Sequence, residues 1–262
     1  MQKVLIIFSS FLLLLWVPSC KKPGTPGPAK FTGCRISEIA ESGSDTSLKT
    51  VYRVYYNDDG TVHNLFVYVM QAPYTNYYRY FNYSSGRIQT RTVNAQQTYS
   101  DQGDTILLDA QNRIVSIRHS YYYYSYNQQW DDYFYDSTGN MYLHNGSGYS
   151  NVLTDYVSWQ NGDPVVDSQE TNGGQLNMTY YTYNDTLYNT GNLTAALSDL
   201  EAYGRGIYTP RHLLTQAHVV TPFDDSVKTY RYTLDTGGRI STVTESILGH
   251  VTNIRRVGYE CQ

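Results

Sequence analysis

Short runs of apolar and aromatic residues, each closed by a turn signal, cover most of this chain. Thr50-Val51-Tyr52-Arg53-Val54-Tyr55-Tyr56 leads into Asn57-Asp58-Asp59-Gly60, and Thr61 to Val69 leads out of it. Further pairs are Tyr77 to Tyr83 with Arg87 to Val93, Thr105 to Asp109 with Arg113 to His119, and Asp132 to Tyr135 with Asn140 to Leu143. β-branched and aromatic residues suit a pleated surface on which side chains pack across strands. The signals Ser84-Ser85-Gly86, Ala110-Gln111-Asn112, Asp136-Ser137-Thr138-Gly139 and Gln160-Asn161-Gly162-Asp163 follow at nearly constant intervals, each long enough for two strands and two connections. Gly and Asn tolerate positive backbone angles there, while Asp and Ser accept backbone hydrogen bonds at the openings. The pattern predicts one all-β domain over residues 33–262, built from repeated antiparallel hairpins as a curved meander or barrel-like sheet. Closure would abolish sheet edges, whereas an open meander must cover them; the pattern allows both.

One interval departs from this rhythm. Thr194-Ala195-Ala196-Leu197-Ser198-Asp199-Leu200-Glu201-Ala202-Tyr203 has a capping residue and apolar helical spacing before Gly204 and Gly206. Thr209-Pro210-Arg211-His212-Leu213-Leu214 reads as a second helix start, with Pro where no hydrogen bond is lost. A short helical insertion near Thr194 to Ala217, covering apolar strand ends, is therefore expected.

The first residues are of another kind. Met1-Gln2-Lys3 precedes an apolar run from Val4 to Val17, too short for an ordinary spanning helix but suited to a signal peptide. The run ends in Val17-Pro18-Ser19-Cys20, which resembles a bacterial lipoprotein cleavage box. That resemblance implies a signal peptide over 1–19 and acyl chains on Cys20, which would hold the protein to the outer membrane. The Pro- and Gly-rich segment after it, completing 20–32, reads as a flexible tether. Of the remaining cysteines, Cys34 follows the tether and Cys261 is penultimate. An oxidising compartment permits them to pair and tie the domain's ends together.

The formal net charge of −4 and the absence of lysine from Arg53 through Val227 leave no basic footprint, so no nucleic-acid partner is expected. No uniform lipid-facing pattern runs along the strands, which argues against a membrane-spanning porin. Six dispersed histidines, His63, His119, His144, His212, His218 and His250, form no metal signature, and neither a nucleophile elbow nor a phosphate loop is present. No cofactor, metal or catalytic residue is assigned. The carboxylate pairs Asp58-Asp59, Asp131-Asp132 and Asp224-Asp225 read as turn chemistry or, on a strand, as residues facing opposite ways.

The conspicuous resource is tyrosine, 29 residues in all. A rigid ring with a polar hydroxyl suits sugar stacking or a protein interface. Tyr77, Tyr78, Tyr80, Tyr122, Tyr124, Tyr126 and Trp130 belong to two hairpin repeats expected to be neighbours, and are the candidate ligand-binding residues. The function expected is a noncatalytic binding or structural lipoprotein of the outer envelope, with a glycan or envelope protein as partner. The alternative is a carbohydrate-active hydrolase whose carboxylates converge from separate strands.

Gly86-Arg87-Ile88, Asn112-Arg113-Ile114 and Gly238-Arg239-Ile240 share one wording: a turn residue, an Arg expected to stay wet, and an Ile entering a packed face. With Tyr135-Asp136-Ser137-Thr138-Gly139-Asn140, this resembles the Tyr-Asp…Gly-Arg wording of YD-type β-hairpin repeats. Cys20, Cys34, the Tyr-rich hairpins and Tyr259-Glu260-Cys261 together resemble the DUF4595-like group of Bacteroidetes lipoprotein domains. The resemblance implies an extracytoplasmic domain with a porin-like or strongly curved meander, and no transferable activity.

Overall fold

The computed structural model describes residues 33–72, 75–96, 100–101, 103–120, 129–147, 152–171, 174, 176–188, 207 and 210–261. Strands β1 (Cys34–Gly43), β2 (Leu48–Tyr56), β3 (Val62–Val69), β4 (Tyr77–Ser84) and β5 (Arg87–Asn94) run up and down as antiparallel neighbours. β6 (Ser100–Asp101) and β7 (Thr105–Leu108) both pair with β5, so they amount to one strand interrupted at Gly103. The meander continues through β8 (Ile114–Arg118), β9 (Trp130–Tyr135), β10 (Met141–Ser147), β11 (Val152–Gln160) and β12 (Asp163–Thr171). It ends with β13 (Leu176–Tyr188), β14 (His212–Val220), β15 (Asp225–Leu234), β16 (Ile240–Ile247) and β17 (His250–Cys261).

β17 then pairs with β1, in register from Cys34 opposite Cys261 to Gly43 opposite Asn253. With β6 and β7 counted together, 16 antiparallel strands thus close into a barrel. Of the two forms the pattern allowed, the barrel is realised, and among the described residues no strand is left at the edge of the sheet. A Cys34–Cys261 disulfide, with Cα atoms 4.0 Å apart, bridges the closing pair.

Four of the turns share one geometry, while Ser84–Arg87 and Gln160–Asp163 close with two-residue loops. In Asn57–Thr61, Asp109–Arg113, Asp136–Asn140 and Asp235–Arg239, the first residue's N–H donates to the fifth residue's carbonyl, at 2.7 to 3.0 Å. The fourth residue is left-handed each time: Gly60, Asn112, Gly139 and Gly238 have φ of 86, 61, 92 and 76°. This is a three-residue hairpin loop ending in a bulge, and asparagine, whose short polar side chain tolerates the left-handed region, replaces glycine at Asn112.

The shared Arg-Ile wording then has a mechanical explanation. Ile88, Ile114 and Ile240 are buried, as expected. Arg87 is exposed, and Arg113 and Arg239 are half-exposed, wet on one side and packed on the other. Each donates from Nε to its turn aspartate at 2.7 Å and lies over the ring of Tyr135 or Tyr259, at 4.4 and 5.0 Å. Those tyrosines donate to the carbonyls of Ile114 and Ile240 at 2.7 and 3.0 Å. A third hairpin substitutes tryptophan, with Trp159 Nε1 donating to Met141 O at 2.7 Å.

The main core gathers Val54, Leu65, Phe81, Ile88, Ile106, Ile117, Tyr133 and Val157 with their neighbours, all on one face of the sheet, which is the inside of the barrel. A second cluster joins Ile39, Leu213, Ile240 and Val243. The expected second helix start is overturned: His212, Leu213 and Leu214 open β14. Leu213 and Leu214 are both buried, while Asp163 holds His212 through its backbone N–H at 2.7 Å and its Nδ1 at 2.6 Å, which fixes extended pairing there. The first part of the expected insertion, Thr194 to Tyr203, lies outside the described residues, as do the signal and tether segments with Cys20.

Candidate functional site

The inner face carries an unexpected row of charged side chains. Arg79 on β4 donates to Thr90 and Thr92 on β5 and, at 2.9 Å, to Asp104. Asp104 follows the break between β6 and β7, and Gly103 sets that break with φ +66° and a backbone packed so closely on Thr90 that a Cβ would overlap it. The Asp104 N–H donates to Thr90 Oγ1 at 2.7 Å. His119, after β8, lies between Asp104 at 3.2 Å and Asp131 of β9 at 2.6 Å. His144 of β10 lies between Asp131 at 2.8 Å and Asp155 of β11 at 2.6 Å. A carboxylate and imidazole chain therefore crosses successive strands from Arg79 to Asp155, with Asp167 of β12 beyond its end.

Register and packing hold it in place. His144 is the register partner of both Tyr133 and Asp155, and it stacks on the buried Tyr133 ring at 4.7 Å with 9° between planes. Gly146 is opposite Asp131, and a Cβ there would sit 2.5 Å from Asp131 Oδ1. The missing side chain is what lets the Asp131 carboxylate turn toward His144. Adjacent Asp131 and Asp132 face opposite ways, as strand geometry requires: Asp131 joins the chain and Asp132 accepts from Arg118 at 2.9 Å.

Charge pairing sets the protonation. Hydrogen bonds to Asp104 and then Asp131 outweigh burial and hold His119 protonated up to about 9. Burial pulls His144 down, but hydrogen bonds to Asp131 and Asp155 win and raise it to about 9. Burial opposes ionisation of Asp131, yet the two imidazoliums bring it down to about 2. Asp104 is likewise lowered, by His119 and Arg79 against burial. Asp167 moves the other way, raised to about 6 by burial and then by the charge of Asp155.

A glycosidase needs two carboxyls facing each other across a space that admits a sugar. Here an imidazole fills the space between successive carboxylates from Asp104 to Asp155. The convergence of carboxylates that a hydrolase would need does occur, but as a self-paired chain. Among the described residues no group of His, Cys, Asp and Glu is arranged to hold a metal ion.

The aromatic candidates divide. Tyr78 and Tyr80 are on the outer face, in a row with Phe66: Phe66 and Tyr78 stack at 4.6 Å, Tyr78 and Tyr80 at 6.1 Å. Phe66, at one end of the row, helps line a cavity of about 410 Å³ together with Leu48, Val51, Arg53, Tyr68, Met70 and Asn76. Tyr77 points inward, opposite Val67 and packed against the main core, so it is not part of that surface. Trp130 on β9 takes the Arg118 guanidinium over its ring at 5.8 Å. Tyr122, Tyr124 and Tyr126 lie outside the described residues. The expected adjacency of the two aromatic repeats is corrected: β5, β6/β7 and β8 separate Tyr78 and Tyr80 from Trp130. Sequence reading passed over the inner chain because its members are far apart in sequence and none matches a motif.

No family model and no curated protein matches this chain. Its fold is similar to a porin-like protein from Bacteroides uniformis, with TM-score 0.60 at 13% identity, covering 87% of this chain and 98% of that one. A porin-like protein from Bacteroides vulgatus gives TM-score 0.59 at 9% identity, covering 86% and 98%. At such identities the likeness is one of fold.

Proposed function

We propose that this chain is a noncatalytic binding module of the bacterial outer envelope, lipid-anchored through Cys20, that recognises a glycan on the outer face of β3 and β4. The observation that carries the reading is the half-exposed Phe66–Tyr78–Tyr80 row, which runs from the groove at Phe66. Stacked rings with hydroxyls at their edges offer a sugar both apolar area and hydrogen bonds. The inner acids and bases are engaged with one another, which favours binding over hydrolysis. The wording around Cys20 and the likeness to DUF4595-like lipoprotein domains support the anchor and the envelope setting. Its outer surface also carries charge pairs such as Arg53 with Glu38 and Arg118 with Asp132, which suits a barrel held beside a membrane in water.

The test is a glycan-array screen of the mature protein followed by titration of Tyr78→Ala and Tyr80→Ala with any hit. Loss of binding by tenfold or more with unchanged thermal unfolding supports the reading. Binding untouched by either substitution, or lost only with the fold, refutes the surface. Acyl-chain labelling that survives Cys20→Ala refutes the anchor.

A further inference from the structure

We propose that Asp155 and Asp167 share one proton, so that the inner chain ends in a proton-binding carboxyl pair. Asp155 is 8% exposed, and its Oδ2 is taken by His144. Its Oδ1 is buried without a hydrogen-bond partner, and so is Asp167 Oδ1. The two residues are on adjacent strands and one face: Asp167 is opposite Val157, and Asp155 lies two residues along β11. Diagonal neighbours of this kind are about 7–8 Å apart at the backbone, and two carboxyls turned toward each other span most of that distance, so that the charge of Asp155 acts on Asp167.

An ionised carboxylate can only accept hydrogen bonds, so two ionised groups would leave both oxygens unsatisfied. One proton turns one of them into a donor, and a single O–H···O bond then satisfies both. Charge counting points the same way. Arg79, His119 and His144 are positive and Asp104, Asp131 and Asp155 negative, so the chain is neutral before Asp167 is included. An ionised Asp167 would add an unbalanced charge inside the barrel.

Among the described residues, the groups facing Asp167 give it no other source of balance. β11 presents Asp155 and β10 presents His144, already held by two carboxylates. β13 presents Thr179 opposite Asp167, Asn177 opposite Gln169 and, on the same face, the phenol of Tyr181, none of them a cation. The proton is taken from solvent and returned to it; no other reactant is involved. Burial and then the Asp155 charge raise the Asp167 carboxyl from 3.8 to about 6, in agreement with the geometry.

The sign follows from linkage. A carboxyl raised in the folded state binds more protons there than when unfolded, so stability falls as pH rises from about 4 to about 6 and then levels off. The site therefore makes the β10–β12 wall tighter in mild acid than at neutral pH.

Infrared difference spectra of the mature protein read the proton directly. Expected is an un-ionised carboxylic-acid band present at pH 5, lost with a midpoint near 6, and missing from Asp167→Asn. Urea unfolding supplies a second readout: the folding constant of the wild type relative to Asp167→Asn falls about tenfold per pH unit over that window. Asp155→Asn, which removes the neighbouring charge, should move the band's midpoint down. The wild-type spectrum stands whether or not either variant folds. Carboxyls fully ionised by pH 5, or a wild-type to variant ratio that does not change with pH, would overturn the proposal.

Discussion

Replacing His144 with leucine tests the inner chain where it is most tightly made. The imidazole joins Asp131 at 2.8 Å to Asp155 at 2.6 Å, with only 14% of its side chain exposed. Leucine keeps apolar contact with Tyr133 but removes both donors and the positive charge. Asp131 retains His119, whereas Asp155 would lose its cationic partner and keep only the proton it shares with Asp167. Hydrogen bonds to charged groups contribute about 1.5–3 kcal/mol each, and stranding a buried charge costs about 3–5 kcal/mol, so a loss of that second size is expected at pH 6. The loss should itself depend on pH. His144 is raised from 6.5 to about 9 in the folded protein, so its protonation stabilises fully below 6.5 and fades as pH rises through 9. That shift corresponds to about 3 kcal/mol, by which the gap between wild type and variant should narrow between pH 6 and pH 10. Urea unfolding followed by circular dichroism at both pH values measures it. A deficit below about 1 kcal/mol at pH 6, or an equal deficit at both pH values, would refute the reasoning.

Two further outcomes are expected. Replacing Cys34 and Cys261 together by serine should lower stability by up to about 5 kcal/mol, the chain-entropy limit for so long a loop. The fold should persist, because pairing from Arg35 to Gly43 still closes the barrel; a lost sheet signal, or an unchanged unfolding midpoint, would contradict this. Leu248 is 78% exposed at φ 50°, in a two-residue turn with Gly249 that brings Ile247 opposite His250. Leu248→Asn should stabilise the protein by about 1 kcal/mol by relieving a left-handed leucine, and a lower melting temperature in the variant would count against it.

The hairpins were legible because their turns are local. Asp109 and Asp235 accept from backbone N–H groups within their own loops, and the left-handed position is marked by Gly or Asn in the sequence. The disulfide was legible from the placement of Cys34 and Cys261, and the burial of the recurrent isoleucines from their wording. Closure was not, since it depends on how much twist and tilt accumulate over all the strands before β17 meets β1. The segment from His212 was misread because a helix start and a strand start look alike when proline precedes apolar residues. What decides between them is Asp163, 49 residues earlier, which holds His212 in place.

The inner chain was hidden for a related reason, although it left a trace. His119 to Asp131, Asp131 to His144 and His144 to Asp155 are separated by 12, 13 and 11 residues, about one strand and one turn each. In an up-and-down meander that spacing returns the chain to the same height on the next strand, so a side chain meets its partner across every pair. Hairpin register is thus what converts dispersed histidines and aspartates into a connected row. It also explains why adjacent aspartates behave so differently: a shift of one residue sends the side chain to the other face. Asp131 became part of the interior while Asp132 became a surface ion pair. Once the apolar half of the inner face is filled by the isoleucine and aromatic core, the polar half must satisfy itself, and alternating acids and imidazoles do so with each group serving two neighbours. Such a chain has to end somewhere, and at Asp155 the alternation meets a second carboxylate instead of a base. A proton is the smallest species that completes the pattern there.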